Sequence, residues 1–215
     1  EREACFKANA AGAEMVARAA SRLGLPMVTF SSDRVFDGRR GTSYVESDAP
    51  CPTCTYGESK AEAERRVTEV HPDALIIRSS AFFGPWDQHN FVFRTLRDMA
   101  AGRPVVLEEP DTVVSPTYVP DLVQAALDLL IDDERGIWHL SNQGEASWIE
   151  LAERVAAEAG LSWRSKPRPV GSERRSTALS SERGLMMPSL ESAISRYFVD
   201  GEADWRDTRY LEAAE

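Results

Sequence analysis

Tyr56 and Lys60 stand four residues apart at the start of a helix-like run, residues 56–70. On a helix, residues i and i+4 share one face, so this phenol and ammonium can enter the same site. A phenol titrates near about pH 10 and exchanges protons poorly at neutral pH, but a neighbouring ammonium favours the phenolate and lowers that value. Such a pair can pass a proton to or from a substrate oxygen. Ser32 ends a short apolar run and offers a hydroxyl to the same oxygen.

These groups meet only if the surrounding elements bring them together. Residues 8–23 read as an Ala-rich amphipathic helix with Met15, Val16 and Ala19 toward the core, and Gly24 is placed to stop it. After Pro26, residues 27–31 read as a buried parallel strand, and a helix followed by such a strand is the second half of a βαβ unit. Residues 36–55 are rich in Gly, Pro, Ser and Asp and form a loop long enough to wrap over a site. On the helix from Tyr56, Glu62, Glu64, Arg65 and Arg66 take the wet face, and His71-Pro72-Asp73 breaks it. Residues 74–80 form the next strand, and 82–87 leave its carboxyl end as a loop. Ligands of open α/β sheets bind beyond the carboxyl ends of the strands, where both Ser31-Ser32 and Phe83-Gly84-Pro85 fall.

Further along, residues 90–101 read as a helix with Phe91, Val92, Leu96 and Met99 on its apolar face. Residues 105–107 and 137–141 read as strands, and a long apolar helix runs from Tyr118-Val119-Pro120-Asp121 to Ile131. Ser147 caps a helix over 147–159 with Glu150 completing a capping box, residues 166–175 are basic and Pro-containing, and 189–198 form a last short helix.

The 215 residues suffice for one large domain or two small ones, and 42% apolar with 28% charged residues describes a soluble globular protein. No apolar run approaches the ~18 residues of a membrane helix, and Glu1-Arg2-Glu3 does not open a signal peptide. A net charge of −10 argues against non-specific nucleic-acid binding. Three cysteines make no disulfide framework. Cys51-Pro52-Thr53-Cys54 has no second ligand pair, and His71, His89 and His139 are scattered, so no metal is expected and a reducing, cytoplasmic setting is.

Ser32, then Tyr56 and Lys60 with twenty-three and three residues between them, resemble the catalytic triad of the extended short-chain dehydrogenase/reductases. Within them, Ser31-Ser32-Asp33-Arg34-Val35-Phe36-Asp37-Gly38 resembles the Ser-Thr-Asp-Tyr-Val-Phe-Asp-Gly block of the dTDP-4-dehydrorhamnose reductase family, and the late stretch 177–183 is similar to that family's Asn-Ser-x-Leu-x-Thr-Glu-Lys stretch. The likeness runs from about Ala8 to Phe198. It implies an α/β fold, an incomplete Rossmann-like doubly wound parallel sheet with a small α+β substrate-binding lobe. Residues 1–87 would be the half that carries Ser32 and Tyr56–Lys60. Residues 88–215 would be mostly substrate lobe, with segments returning to the sheet.

The resemblance also implies reduction of a nucleotide-linked 4-keto-6-deoxy sugar by NADP or NAD. Tyr56 would protonate the ketone oxygen, Ser32 would polarise it, and Lys60 would hold the nicotinamide ribose. Ser31, Arg78, Ser79 and Ser80 would join Tyr56 and Lys60 around the cofactor. Ser32, Asp33, Arg34, Val35, Phe36, Trp86, Asn90, Phe91 and Arg103 would contact substrate. Two positions depart from the family pattern: Arg34 stands where the family has Tyr, and Ala81 where it usually has Trp. Both changes remove stacking surfaces for a sugar or base. Among the 13 glycines there is no Gly-x-Gly-x-x-Gly and no Gly-x-x-Gly-x-x-Gly turn to hold a pyrophosphate. The expectation is a C-terminal portion whose other half lies in the same longer chain or in a partner, inactive by itself. Homodimerisation stays open. The alternative is a non-catalytic sugar-nucleotide-binding or regulatory module, because the same block is similar to the regulatory subunit of methionine adenosyltransferase.

Overall fold

The computed structural model describes residues 1–163 and 175–201. Most of the basic stretch 166–175 lies outside them. The chain starts as one continuous helical run: α1 (Arg2–Phe6), a π-helical turn (Lys7–Ala11) and α2 (Gly12–Leu23). Gly24 ends α2 in the left-handed conformation (φ 63°), its N–H and that of Leu25 closing back on the last turn. Strand β1 (Val28–Phe30) follows. Next come α3 (Thr55–Val70), β2 (Leu75–Arg78), β3 (Phe82–Phe83) and α4 (Phe91–Ala100). After these lie β4 (Val113–Val114), β5 (Thr117–Tyr118), α5 (Val119–Ile131) and β6 (Gly136–His139). The last elements are β7 (Ala146–Ser147), α6 (Trp148–Ala159) and α7 (Leu190–Asp200).

The main sheet has the order β1-β2-β6, all parallel, with Val28 opposite Leu75 and Arg78 opposite His139. Side chains of β2 alternate between two covered faces. Leu75 and Ile77 pack with Leu122, Ala125, Ala126 and Leu129 of α5, while Ile76 packs with Ala17 of α2 and Val67 of α3. That two-sided burial is why residues 74–80 read as an almost unbroken apolar strand. A second core joins α4, α6 and α7 around Phe83, Leu96, Tyr118 and Leu151. The fold is α/β with a parallel sheet covered on both faces.

Three local expectations are corrected. Met15 and Val16 are 72% and 59% exposed; α2 turns its small residues inward instead, with Ala17 buried and Ala13 and Ala20 beside it. An Ala stripe lets α2 lie closer to α3 than Met and Val would allow. Glu64 is not on the wet face of α3: it is buried, and both its oxygens meet the buried Arg78 guanidinium, at 2.8 and 2.7 Å. Residues 105–107 form no strand; only Val105 makes an isolated bridge.

The capping box at α6 is present as read: Ser147 Oγ accepts from the Glu150 N–H at 3.3 Å, and the Glu150 carboxylate accepts from the Ser147 N–H at 2.7 Å. Ser147→Ala is expected to lower stability by about 1 kcal/mol. Urea unfolding checks it through a lower midpoint at unchanged m-value.

Candidate active site

Ser32 follows β1 and caps a short 3₁₀ turn, Asp33–Val35, its Oγ accepting from the Arg34 N–H at 3.1 Å. The backbone runs on beside β2, with Ser31 N–H donating to Ile77 O at 2.6 Å and Asp33 N–H to Ser79 O at 3.0 Å. This pairing fixes the Ser31-Ser32-Asp33 hydroxyls and carboxylate at the carboxyl end of the sheet. The Asp33 carboxylate is buried and takes hydrogen bonds from Ser32 Oγ (3.0 Å), Ser80 Oγ (2.7 Å) and Thr177 Oγ1 (2.6 Å). Burial raises its pKa above the ordinary carboxylate value, against the lowering effect of those three hydroxyls.

Tyr56 sits in the first turn of α3, whose cap is Cys54; the Cys54 Sγ accepts from the Gly57 N–H at 3.4 Å. The helix start lies hard against the 3₁₀ turn. A Cβ built on Gly57 would stand 2.0 Å from the Arg34 carbonyl oxygen, so only glycine permits the approach. As a result Tyr56 and Ser32 come together on the lining of one cleft. One turn on, Lys60 Nζ donates to Phe30 O at 3.0 Å and lies 5.8 Å from the centre of the Tyr56 ring. The phenol is not lowered as the sequence suggested. Burial, with Asp33, Cys5 and Cys54 nearby, raises the phenol above its ordinary pKa, only partly offset by Ser32. Burial lowers the pKa of Lys60.

Tyr56 and Ser32 open onto a cleft of about 510 Å³, within the range of small-molecule sites. Ser31, Asp33, Arg34, Ser79 and Ser80 line it near them. Phe82, Phe91, Val106, Leu107, Val114 and Trp148 also line it, with the carboxylates Glu108 and Glu109. The rings of Phe91 and Trp148 pack with centroids 4.6 Å apart and planes at 58°. Ala81 also lines the cleft, in the left-handed region (φ 43°), where a residue with a Cβ is strained. Ser31 is buried and its hydroxyl has no hydrogen-bond partner among the described residues.

The remaining sequence-derived site residues fall outside the cleft lining. Val35 and Phe36 are in a core cluster with Tyr44 and Leu179, Phe36 stacked on Tyr44 at 4.1 Å. Arg78 is locked in its pair with Glu64, under the Phe36 ring. Asn90 is the buried cap of α4, donating to Gly84 O at 3.0 Å. Arg103 pairs with Asp98 at 2.8 Å, and Trp86 is 76% exposed. Sequence reasoning missed Trp148, Phe82, Val114 and residues 106–109. Trp148 had a signal, being a large aromatic at the first position of a capped helix.

A parallel α/β sheet, here with a serine, a tyrosine and a lysine gathered at its carboxyl end, is the fold of the extended short-chain dehydrogenase/reductase type. Residues 1–207 match the RmlD substrate binding domain, and the chain belongs to that family. It is 36% identical over 157 residues to the dTDP-4-dehydrorhamnose reductase of Sinorhizobium fredii, covering 70% of this chain and 52% of that protein. It is 33% identical over 165 residues to the reductase of the same name from Aggregatibacter actinomycetemcomitans, covering 74% of this chain and 55% of that protein. The chain thus spans about half the length of these curated relatives. Among solved structures, the dTDP-4-dehydrorhamnose reductase of Bacillus anthracis in complex with NADP superposes with a TM-score of 0.85 at 31% identity, covering 93% of this chain and 73% of that one. A dTDP-glucose 4,6-dehydratase of the same organism shares the fold, with a TM-score of 0.77 at 16% identity.

Proposed function

We propose that this chain carries the proton-transfer and substrate-binding side of a nicotinamide-dependent reductase acting on a nucleotide-linked 4-keto-6-deoxy sugar. The observation that supports it most is the meeting of Ser32 and Tyr56 on the lining of one cleft large enough for a small-molecule substrate. The residues present fit the nicotinamide end of NADP or NAD. Ser31 has a buried hydroxyl on the cleft wall with no partner among the described residues, and Ser79 and Ser80 also line the cleft. Lys60, next to Tyr56, would hold the ribose.

Bound there, the cofactor supplies the reducing equivalent. The chain's own groups do the rest. Ser32 and Tyr56 hydrogen-bond the ketone oxygen and hold it in place. As negative charge builds on that oxygen, the phenol proton of Tyr56 passes to it. The raised pKa of Tyr56 keeps that proton in place at neutral pH, so the phenol is ready as an acid in the reductive direction. Arg34, exposed at the cleft, would meet the diphosphate of the substrate. The Phe91–Trp148 wall would carry a flat or apolar part of it, in place of the ring absent at Ala81.

The test is consumption of NADPH by the complete natural protein with a dTDP-linked 4-keto-6-deoxy sugar. Turnover is the expected result. Sugar-nucleotide binding without turnover would overturn the reading in favour of a regulatory module. In the same assay, Trp148→Ala is expected to raise KM for the sugar nucleotide about tenfold, the value of one aromatic contact, with little change in kcat. An unchanged KM would remove Trp148 from the substrate site.

A further inference from the structure

Tyr56, Lys60 and Glu64 follow one another at intervals of four and share one face of α3. Lys60 Nζ reaches Phe30 O at the end of β1, and Glu64 reaches Arg78 at the end of β2. The residues after those two strand ends, Ser31-Ser32 and Ser79-Ser80, line the cleft with Tyr56. The place of Tyr56 among these serines is therefore set by where α3 comes to rest along the sheet. Apolar packing of Val67 with Ala17, Ala74 and Ile76 presses the helix onto the sheet, but apolar contact has no direction and resists sliding weakly. The Glu64–Arg78 pair does have direction. Arg78 Nε donates to Oε1 at 2.8 Å and Nη2 to Oε2 at 2.7 Å, two parallel bonds between side chains that are 6% and 1% exposed. The remaining nitrogen, Nη1, faces Glu46 O and His139 Nε2, each at 3.4 Å, and the guanidinium lies over the Phe36 ring. Held by these other elements, Arg78 cannot follow the helix if it shifts.

A buried ion pair contributes little net stability, because desolvation offsets the attraction, and its best-attested use is to fix register. We propose that Glu64 and Arg78 are positioning residues: their buried two-pronged pair sets the register of α3 along β2, and so holds Tyr56 and Lys60 at the serines of the strand ends. Neither side chain lines the cleft, so the pair acts through the helix and not on substrate. A misplacement of about 1 Å at a reacting group costs on the order of 10²-fold in rate. The catalytic consequence rests on the proposed function; the register itself is read without substrate.

The test is the double variant Glu64→Leu with Arg78→Met in the complete natural protein. It exchanges a net-neutral pair for two apolar side chains, so the net charge near Tyr56 is kept and the space stays filled. Exchanges of this kind are often neutral or stabilising. The expected result is a Tm near the parent's and a kcat lower by about 10–10²-fold. KM for the sugar nucleotide should stay within a few-fold, since Arg34, Phe91 and Trp148 stand on other elements. With 3-fluorotyrosine at position 56, the fluorine resonance of the substrate-free protein should move or split as Tyr56 loses its single place. An unmoved single resonance would overturn the proposal whatever the kinetics. Where the parent turns over, a kcat within a few-fold of the parent's would overturn it as well. If the parent itself shows no turnover, the proposed function fails and the resonance alone decides the register. Should the double variant fail to fold, Arg78→Lys decides by the same resonance, because lysine keeps the positive charge but has no fork to match a carboxylate. A moved or split resonance there supports the proposal, and an unmoved one overturns it.

Discussion

Replacing Tyr56 by Phe in the complete natural protein is expected to lower kcat for sugar-nucleotide reduction by about 10²–10⁴-fold while leaving NADPH affinity nearly unchanged. That range is what a well-placed general acid contributes. The phenyl ring of the variant keeps the contacts of the tyrosine ring, including its place beside Lys60, so little besides the proton is lost. Without it, charge building on the ketone oxygen has only Ser32 to meet it. Steady-state kinetics with calorimetry of NADPH binding checks both halves. A kcat within a few-fold of the parent would move the proton source elsewhere. The pH profile carries the sign. Because the phenol is raised above its ordinary value, reduction should draw no descending limb from Tyr56 in the neutral range and should fall only as the pH rises through that raised value.

Gly57→Ala is expected to destabilise the chain by about 3 kcal/mol, the upper part of the range for overpacking a filled space. At an ordinary interior helix position the same change stabilises by about 1 kcal/mol, since alanine is the better helix former. The sign is reversed here by a backbone contact. The new Cβ would lie 2.0 Å from the Arg34 carbonyl oxygen and 3.1 Å from the Pro52 Cβ. A carbonyl in a 3₁₀ turn cannot swing aside as a flexible side chain can. The start of α3 has to move off the turn, taking Tyr56 away from Ser32 with it. Scanning calorimetry should show a Tm lower by roughly 6–12 °C for a chain of this size. A Tm equal to or above the parent's would show that the helix start has room to spare.

The grouping of Ser32, Tyr56 and Lys60 was readable because its determinants are local. Tyr56 and Lys60 are fixed to one helix face by their spacing, and Ser32 by its place at a strand end. Caps were readable for the same reason: Gly24, Ser147 and Glu150 act within one turn of their own helix. What escaped the sequence depends on partners far along the chain. Glu64 looks like any surface carboxylate on a charged helix until β2 brings Arg78 to it. Met15 and Val16 look like core residues until close approach to α3 favours the alanine stripe instead. Phe36 looks like a substrate contact by its neighbours in sequence, yet it stacks on Tyr44 and fills a small core. Part of the cleft lining comes from residues 106–109, which carry no local signature of binding.

The hydrogen bond from Thr177 to Asp33 joins positions 144 residues apart. Closing so large a loop is slow and rewards the chain late, so this contact belongs to the end of folding rather than its beginning. A ribosome making the chain from its amino end delivers Ser32, Asp33 and Tyr56 long before the threonine that steadies them. During that interval the turn after β1 has a carboxylate without its third hydroxyl donor, in a sheet whose third strand, β6, has also to arrive. The helix and the turn can form early, but the hydrogen bonds around Asp33 are complete only when the stretch around residue 177 folds back over it. A nascent chain therefore lacks the third donor to Asp33 until the residues around position 177 have been made.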